Sequence, residues 1–442
     1  MKITPERRVY ALGVVLCVAL TICSLNFRDR GGPYFMAGLT VAGIAYLLAI
    51  REFFAAPRFS RRVVVIGLVL AAVWHIAFLR VPAAADDDIH RYVWDGRLQR
   101  LGYNPYIVVP SDPAFASLHT PETRTLNNPG LPSPYPPAAQ LFFRTVAAIH
   151  ESTFAMKVAF VICELAIVFV LLDLLRRTRQ AAHLVLAFAW NPLLAIEVAG
   201  SGHIDIVGAL LLVVSAAALV RRWRLAATVA LGLAIAVKFL PVVLLPLYWK
   251  RVRIRDAALA AVVVTLLYVP FLDHSFLNHG RIPIGSLGTY VQGFRFNGPV
   301  FAILHYVAPP QLLAGLAVLV GLVTATFLRR GSLKRAAPDA DPNAFASDQS
   351  PWNQFAWPMA ASLLFAPVVF PWYLLWLLPF LTSALTLLII VWTVSIIPTY
   401  IMWHLSRRTG SWGSLPLWVI LLEYGCLVIV GTILALHRMR RA

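Results

Sequence analysis

Long apolar runs, most of them closed by short basic or proline-containing stretches, dominate this chain. They lie near residues 9–25, 34–50, 63–81, 154–175, 183–199, 203–220, 256–272, 309–329, 354–369, 372–385, 386–403 and 416–437. A hydrocarbon core of ~30 Å takes about 20 residues of helix, so the pattern predicts an all-α polytopic integral membrane protein with about 12 spanning helices. One stretch breaks the alternation. Residues 225–249 are apolar, yet Arg221-Arg222-Trp223-Arg224 precedes them and Lys250-Arg251-Val252-Arg253 follows. A single crossing would put one basic cluster on the wrong side, whereas a re-entrant hairpin broken at Lys238-Phe239-Leu240-Pro241 would not. Pro241 removes a helical hydrogen bond and disfavours helix at the residue before it.

Composition agrees: of 442 residues, 60% are hydrophobic and 13% charged, with a mean hydropathy of +0.74. That apolar share exceeds what a soluble domain carries. The net charge of +18 comes from basic clusters between runs, which reads as topology signal and not as a nucleic-acid surface. With the N-terminus cytoplasmic, the clusters Arg51/Arg58/Arg61/Arg62, Arg176/Arg177/Arg179, Arg221/Arg222/Arg224, Arg329/Arg330/Lys334/Arg335 and Arg438/Arg440/Arg441 all fall inside, as does the C-terminus. The first run lacks a small-residue cleavage site and reads as an uncleaved helix. Cys17, Cys23, Cys163 and Cys426 sit in apolar runs without CxxC spacing, as small buried hydrophobes do.

Two outer loops follow from this topology, 82–152 and 273–297, the second holding His274, His279, Arg281 and Arg295. The polar, small-residue-rich segment 331–352 reads as a cytoplasmic linker. It divides an N-terminal module, 1–330, from a C-terminal helix group, 353–442.

The densest chemistry stands where the third run ends: Asp86-Asp87-Asp88-Ile89-His90-Arg91-Tyr92-Val93-Trp94-Asp95-Gly96-Arg97. Adjacent carboxylates at a membrane exit repel one another, so they point to chemistry at the boundary; a solvated cluster that stops insertion is the alternative. Asp88 and Tyr92 share a helix face, as do Arg91 and Asp95. A carboxylate beside apolar walls suits a general base acting on a sugar hydroxyl. Glu197, His203 and Asp205 flank a second outward turn, where they would hydrogen-bond sugar hydroxyls, ligate a divalent cation, or cap and pack the turn. Lys238, in an apolar stretch, calls for an anion: a lipid phosphate, or an internal acid such as Glu164. Tyr103-Asn104-Pro105-Tyr106, Tyr135 and Trp372-Tyr373 present rings that cover sugar faces or anchor at the interface.

Taken in order, these motifs resemble a bacterial family of polyprenyl-phosphate-dependent glycosyltransferases of GT-C fold, related to the polyprenol-phosphomannose mannosyltransferases. The pieces are Asp87-Asp88-Ile89-His90-Arg91-Tyr92-Val93-Trp94-Asp95-Gly96-Arg97, Tyr103-Asn104-Pro105-Tyr106, Tyr135-Pro136-Pro137-Ala138-Ala139-Gln140, Gly202-His203-Ile204-Asp205, Lys238-Phe239-Leu240-Pro241, Phe296-Asn297-Gly298 and Pro371-Trp372-Tyr373. They cover about residues 80 to 385. His90 departs from the Tyr that relatives often carry, and Phe370 from a His before Pro-Trp-Tyr.

The resemblance implies a GT-C helix bundle in the bacterial inner (plasma) membrane, with its site on the outer face. It implies an inverting transfer of mannose, or another hexose or pentose, from a polyprenyl-phosphate donor to a glycan, lipid or glycolipid. Asp88 would be the base, with Asp87 beside it, and Lys238, Arg281 and Arg295 would hold the donor phosphate. Tyr92, Trp94, Asp95, Tyr103, Asn104, Tyr106, Tyr135, Glu197, His203, Asp205, Asn297, Trp372 and Tyr373 would contact sugar or acceptor. No metal ligand set is assigned. The competing class is a transporter or flippase of lipid-linked sugars, which also uses broken helices and intramembrane charge. The long proline-rich outer loop and the lack of an evident inverted repeat stand against it, and a non-catalytic scaffold is a third reading.

Overall fold

A computed structural model describes residues 4–84, 87–272, 283–335 and 351–440. Within these residues the chain is helical, with one isolated β-bridge, Phe296 to Val368. Eight stretches are long and apolar enough to cross a membrane: Pro5–Leu25, Pro33–Ala55, Arg61–Leu79, Thr153–Arg177, Ile254–Phe271, Pro310–Ser332, Ala384–Thr409 and Leu417–His437. A bent pair, Ala182–Ala189 and Pro192–Gly200, makes up to nine.

The expected count of about 12 is thus not reached by length and apolarity among the described residues, and proline is the main cause. The run 354–369 holds the helix Ala356–Leu364, whose nine residues rise only about 14 Å. The run 372–385 is a pair of 3-10 turns, Pro371–Trp376 and Leu378–Phe380, each with proline in its first turn. The run 183–199 breaks at Asn191-Pro192 with a bend of 52°. Asn191 caps the restart, its Oδ1 accepting from Leu193 N at 3.0 Å. The run 203–220 yields a 16-residue helix, Asp205–Val220. In the stretch 225–249, helix Arg224–Ile235 stops before Lys238, and Leu240–Leu244 continues as a 3-10 turn, the break the Pro241 argument requires.

The first three helices, α1 (Pro5–Leu25), α2 (Pro33–Ala55) and α3 (Arg61–Leu79), pack with α1 against both others. The expected outer loop 82–152 contains α4 (Ile89–Arg100) and α5 (Pro137–Ile149), packed on each other. After it α6 (Thr153–Arg177) packs along the helix Asp205–Val220, which in turn packs on Arg224–Ile235. One continuous apolar core joins residues from Val9 to Trp403. Most of the expected linker, and His274, His279 and Arg281 of the second loop, lie outside the described residues.

The 3-10 turn Pro371–Trp376 lies on the helix Asp205–Val220 because Gly208 leaves room for an indole. A Cβ at Gly208 would stand 1.8 Å from the Trp376 ring. Replacing Gly208 by Ala should force that ring aside and cost roughly 1–3 kcal/mol, as overpacking does. Thermal unfolding in detergent would read the loss, and an unchanged melting temperature would contradict the packing described.

Candidate active site

Three chain segments meet where α3 ends. The polypeptide leaves α3 through Arg80-Val81-Pro82 and turns into α4 with Asp88 at the N-cap position. Asp87 points inward: its Oδ1 accepts from Arg30 Nη1 at 2.7 Å and its Oδ2 from the backbone N of Ala84 at 2.8 Å. Arg30, from the turn between α1 and α2, also donates to Ser201 Oγ at 2.5 Å and lies 5.2 Å from the ring centroids of Phe27 and Trp403. This buried knot joins the α1–α2 turn, the start of α4 and the turn before Asp205.

Asp88 faces the other way. Its Oδ1 accepts from Asn127 Nδ2 at 2.6 Å, its Oδ2 lies 4.0 Å from His203 Nδ1, and its side chain is 23% exposed. The ring of His203 stacks on Trp372 at 4.0 Å, and Trp372 stacks on Phe370 at 4.3 Å. His203 Nε2 is 3.0 Å from Glu197 Oε2, and the Tyr400 hydroxyl donates to Glu197 Oε1. A line of polar groups thus runs inward from Asp88 through His203 and Glu197 to Tyr400. Burial disfavours the charged ring of His203, but Glu197, together with the charges of Asp88 and Asp205, outweighs it and raises the pKa above 6.5.

Beside this line, Lys238 Nζ donates to Asp205 Oδ1 at 2.8 Å and lies 3.9 Å from the Tyr373 ring centroid. Trp376 Nε1 donates to the same oxygen at 2.6 Å. The internal acid for Lys238 is therefore Asp205 and not Glu164, which faces His75 at 2.9 Å. Asp205 starts its helix at the level of the hairpin break, whereas Glu164 lies mid-way along α6. Burial, followed by the charge of Asp88, raises the pKa values of Tyr92 and Tyr135. Burial and the same charge also raise that of Tyr290, and burial, then Asp205, then Asp88 raise that of Tyr373. Around Asp88, these hydroxyls stay protonated and can act as donors.

Other expected contacts are engaged within the protein. Asp95 is buried and accepts from Ser133 Oγ and from Gln140 Nε2 at 2.9 Å, with Arg91 Nε 3.8 Å away. Burial raises its pKa, opposed by Arg91, Ser133 and Gln140. Trp94 is buried and stacks on His119 at 4.1 Å. Asn104 shapes a turn through Tyr106 N at 3.0 Å and donates to Phe271 O at 2.8 Å. The Tyr106 hydroxyl donates to Tyr135 O at 2.8 Å, and half-exposed Tyr103 meets Phe115 edge-on. Arg295 donates to Gln292 O at 2.6 Å and Phe294 O at 2.7 Å, and stands 4.5 Å from the Phe301 ring centroid. Asn297 donates to Glu423 Oε2 at 3.0 Å. Arg281 lies outside the described residues.

For a cation, Asp205 turns to Lys238 and Trp376 while Glu197 and His203 face each other. Among the described residues no three His, Cys, Asp or Glu side chains are grouped so that they could hold a metal ion. Arg30, Asn127, Trp376 and Tyr400 were not expected. Arg30 carried a signal as an arginine in a short Gly-containing turn between two runs, and Trp376 stands four residues beyond Trp372. Asn127 and Tyr400 carried none.

The two neighbouring acids should separate in stability. Asp87→Asn strips a buried arginine of its carboxylate, which costs about 3–5 kcal/mol, whereas Asp88→Asn leaves the fold close to wild type. Equal melting temperatures for the two variants would contradict this division. The raised pKa of His203 sets a pH sign. Its stabilising contribution is complete below the ordinary 6.5 and fades as pH rises through the raised value. The melting-temperature gap between wild type and His203→Gln should be widest below pH 6.5 and narrow above it; a gap that widens with pH would refute the ion pair.

No curated protein and no solved structure matches the chain. A family model described as alpha-(1->6)-mannopyranosyltransferase, N-terminal domain, matches residues 18–253, a stretch that holds the end of α1, all of α2 to α6, and Arg30, Asp87, Asp88, Glu197, His203, Asp205 and Lys238. With more than half of its residues inside that match, the chain belongs to the alpha-(1->6)-mannopyranosyltransferase family, and is a multi-pass membrane glycosyltransferase of the GT-C type.

Proposed function

We propose that the protein transfers mannose from a polyprenyl-phosphate donor to a hydroxyl of a glycan or glycolipid acceptor, with Asp88 as general base. The observation that carries this reading is the contrast between neighbours. Asp87 is locked to Arg30, while Asp88 keeps a partly exposed carboxylate, supported by Asn127 and His203.

In the proposed step the acceptor oxygen attacks the anomeric carbon as its proton passes to Asp88. The bond from that carbon to the phosphate oxygen breaks, and the polyprenyl phosphate leaves as an anion. Attack opposite the leaving group inverts the anomeric centre, so an alpha product requires a beta-linked donor. Lys238, whose side chain is 26% exposed against 1% for Asp205, can turn its ammonium toward the phosphate while Trp376 still donates to Asp205. Trp372 and Tyr373 offer ring faces to the sugar. His203, held by Glu197 and stacked on Trp372, positions the Asp88 carboxylate.

The basic clusters support a cytoplasmic N-terminus and a site on the outer face of a bacterial plasma membrane. A lipid-borne donor fits that placement, because a nucleotide sugar is made in the cytoplasm. The chain also lacks a Gly-rich phosphate loop at a strand-to-helix turn.

Proteoliposomes supplied with polyprenyl-phosphate mannose and a mannoside acceptor should form product, and Asp88→Asn should lower turnover about 10²–10⁴-fold, the usual weight of a general base. GDP-mannose in place of the lipid-linked donor should give none. Turnover on GDP-mannose alone would sink the donor assignment, and wild-type turnover by Asp88→Asn would sink the base.

A further inference from the structure

A separate concave site lies away from Asp88, beyond the far end of the helix Asp205–Val220. The helix Asp205–Val220 begins beside His203 and runs 16 residues, so its far end lies roughly 24 Å away. There the chain turns through Arg221-Arg222-Trp223 into the helix Arg224–Ile235, and the helix Ile254–Tyr268 starts alongside. Between the two helix starts opens a cavity of about 340 Å³, lined by Arg222, Arg224, Leu225, Arg253, Arg255 and Asp256.

Four arginines thus line one cavity with a single acidic residue. That carboxylate is engaged on its own helix: Asp256 Oδ2 accepts from Arg253 N at 3.3 Å, and its Oδ1 is 3.7 Å from Arg255 Nε. Two helix N-termini add positive partial charge to the same space. Arg222 holds a left-handed backbone with φ of 60°, a conformation at which glycine or asparagine is far more at ease. Topology signalling needs positive charge on one side of the membrane, but it does not need four arginines around one cavity. The neighbouring apolar side chains are exposed: Trp223 at 62%, Leu225 at 44% and Ile254 at 91%. Such side chains sit comfortably at a lipid interface.

We propose that this cavity binds a phosphate ester at the membrane surface, with the headgroup of an anionic phospholipid as its occupant. Arginine pairs with phosphate through two parallel hydrogen bonds, and the exposed Leu225, Ile254 and Trp223 continue from the cavity as a surface for acyl chains. A soluble phosphate anion offers the same chemistry without the chains. The site is separate from Asp88 and does not depend on the transfer reaction.

Native mass spectrometry of the full-length protein, with phosphatidylglycerol or phosphatidylcholine in the micelle, tests it. Wild type should retain phosphatidylglycerol preferentially, and Arg224→Gln/Arg253→Gln/Arg255→Gln should retain at least about tenfold less, at about a few-fold per surface arginine. The corresponding Lys substitutions should keep part of the binding. On wild type alone, raising ammonium acetate from about 0.05 to 0.5 M should erase the preference, since the contact is screened; this arm stands even if the Gln variant does not fold. Equal retention of the two lipids by wild type, or of phosphatidylglycerol by wild type and a folded Gln variant, overturns the proposal. Competition identifies the source. Displacement by inorganic phosphate, but not by chloride at equal ionic strength, assigns the site to a soluble anion, and persistence of the lipid assigns it to the headgroup.

Discussion

Inside a low-dielectric bundle an ionised side chain needs an opposite charge within a few ångströms, and this constraint organises the protein. Arg30 meets Asp87, His75 meets Glu164, Lys238 meets Asp205 and His203 meets Glu197. Glu423 takes neutral donors, Asn297 and Trp392, instead. The first three pairs also crosslink segments distant in sequence, so the charges set which turns come together at the end of α3. In the stretch from Asp87 to Asp95, both outer acids are buried in such contacts. Asp88 between them is left with one direct bond and an open side.

The long spans were legible because about 20 apolar residues in a row leave few alternatives. The short ones were not: hydropathy counts residues, but Pro192, Pro241, Pro371 and Pro379 decide whether those residues form one rod or several turns. The break near Lys238 was legible for the same reason. Of the site, the Asp88 and His203 motifs could be read as chemistry-bearing, and their proximity followed from both lying at turns on one side. Which acid pairs with Lys238 could not be read. That depends on Asp205 and the hairpin break sharing a depth, a consequence of where two short helices begin and end. The expected kinship of Asp88 and Tyr92 takes the form of a backbone bond, Tyr92 N to Asp88 O at 3.2 Å, in the first turn of α4. Asp95 and Trp94 share the motif with Asp88, which alone does not say which partners they meet. Their side chains turn toward Ser133 and His119.

The placement of Glu197 under His203 rests on backbone irregularity with no strong sequence signature. Residues Ala195–Gly200 form a π-helical turn, a form often found at functional sites. It closes with His203 N donating to Glu197 O at 2.9 Å. Gly202 then takes a φ of 77°, and a Cβ there would stand 2.4 Å from Ile89 at the start of α4. Only a residue without a side chain lets the His203 turn pass so close to Asp88. The glycine visible in the motif therefore has a steric meaning that the motif alone did not disclose.

The family match ends at Arg253, yet the polar residues before Asp205 find their partners beyond it. His203 stacks on Trp372, Asp205 accepts from Trp376, and Glu197 accepts from Tyr400. Removing those partners would leave two buried acids and a buried imidazole with fewer contacts than their burial demands. The N-terminal domain thus carries the charged groups, while the later segments supply the rings and hydroxyls that hold them in place. Prolines that prevent 371–380 from forming a spanning helix are what allow it to lie as turns across the helix Asp205–Val220. The feature that breaks these apolar runs is the same one that completes the site.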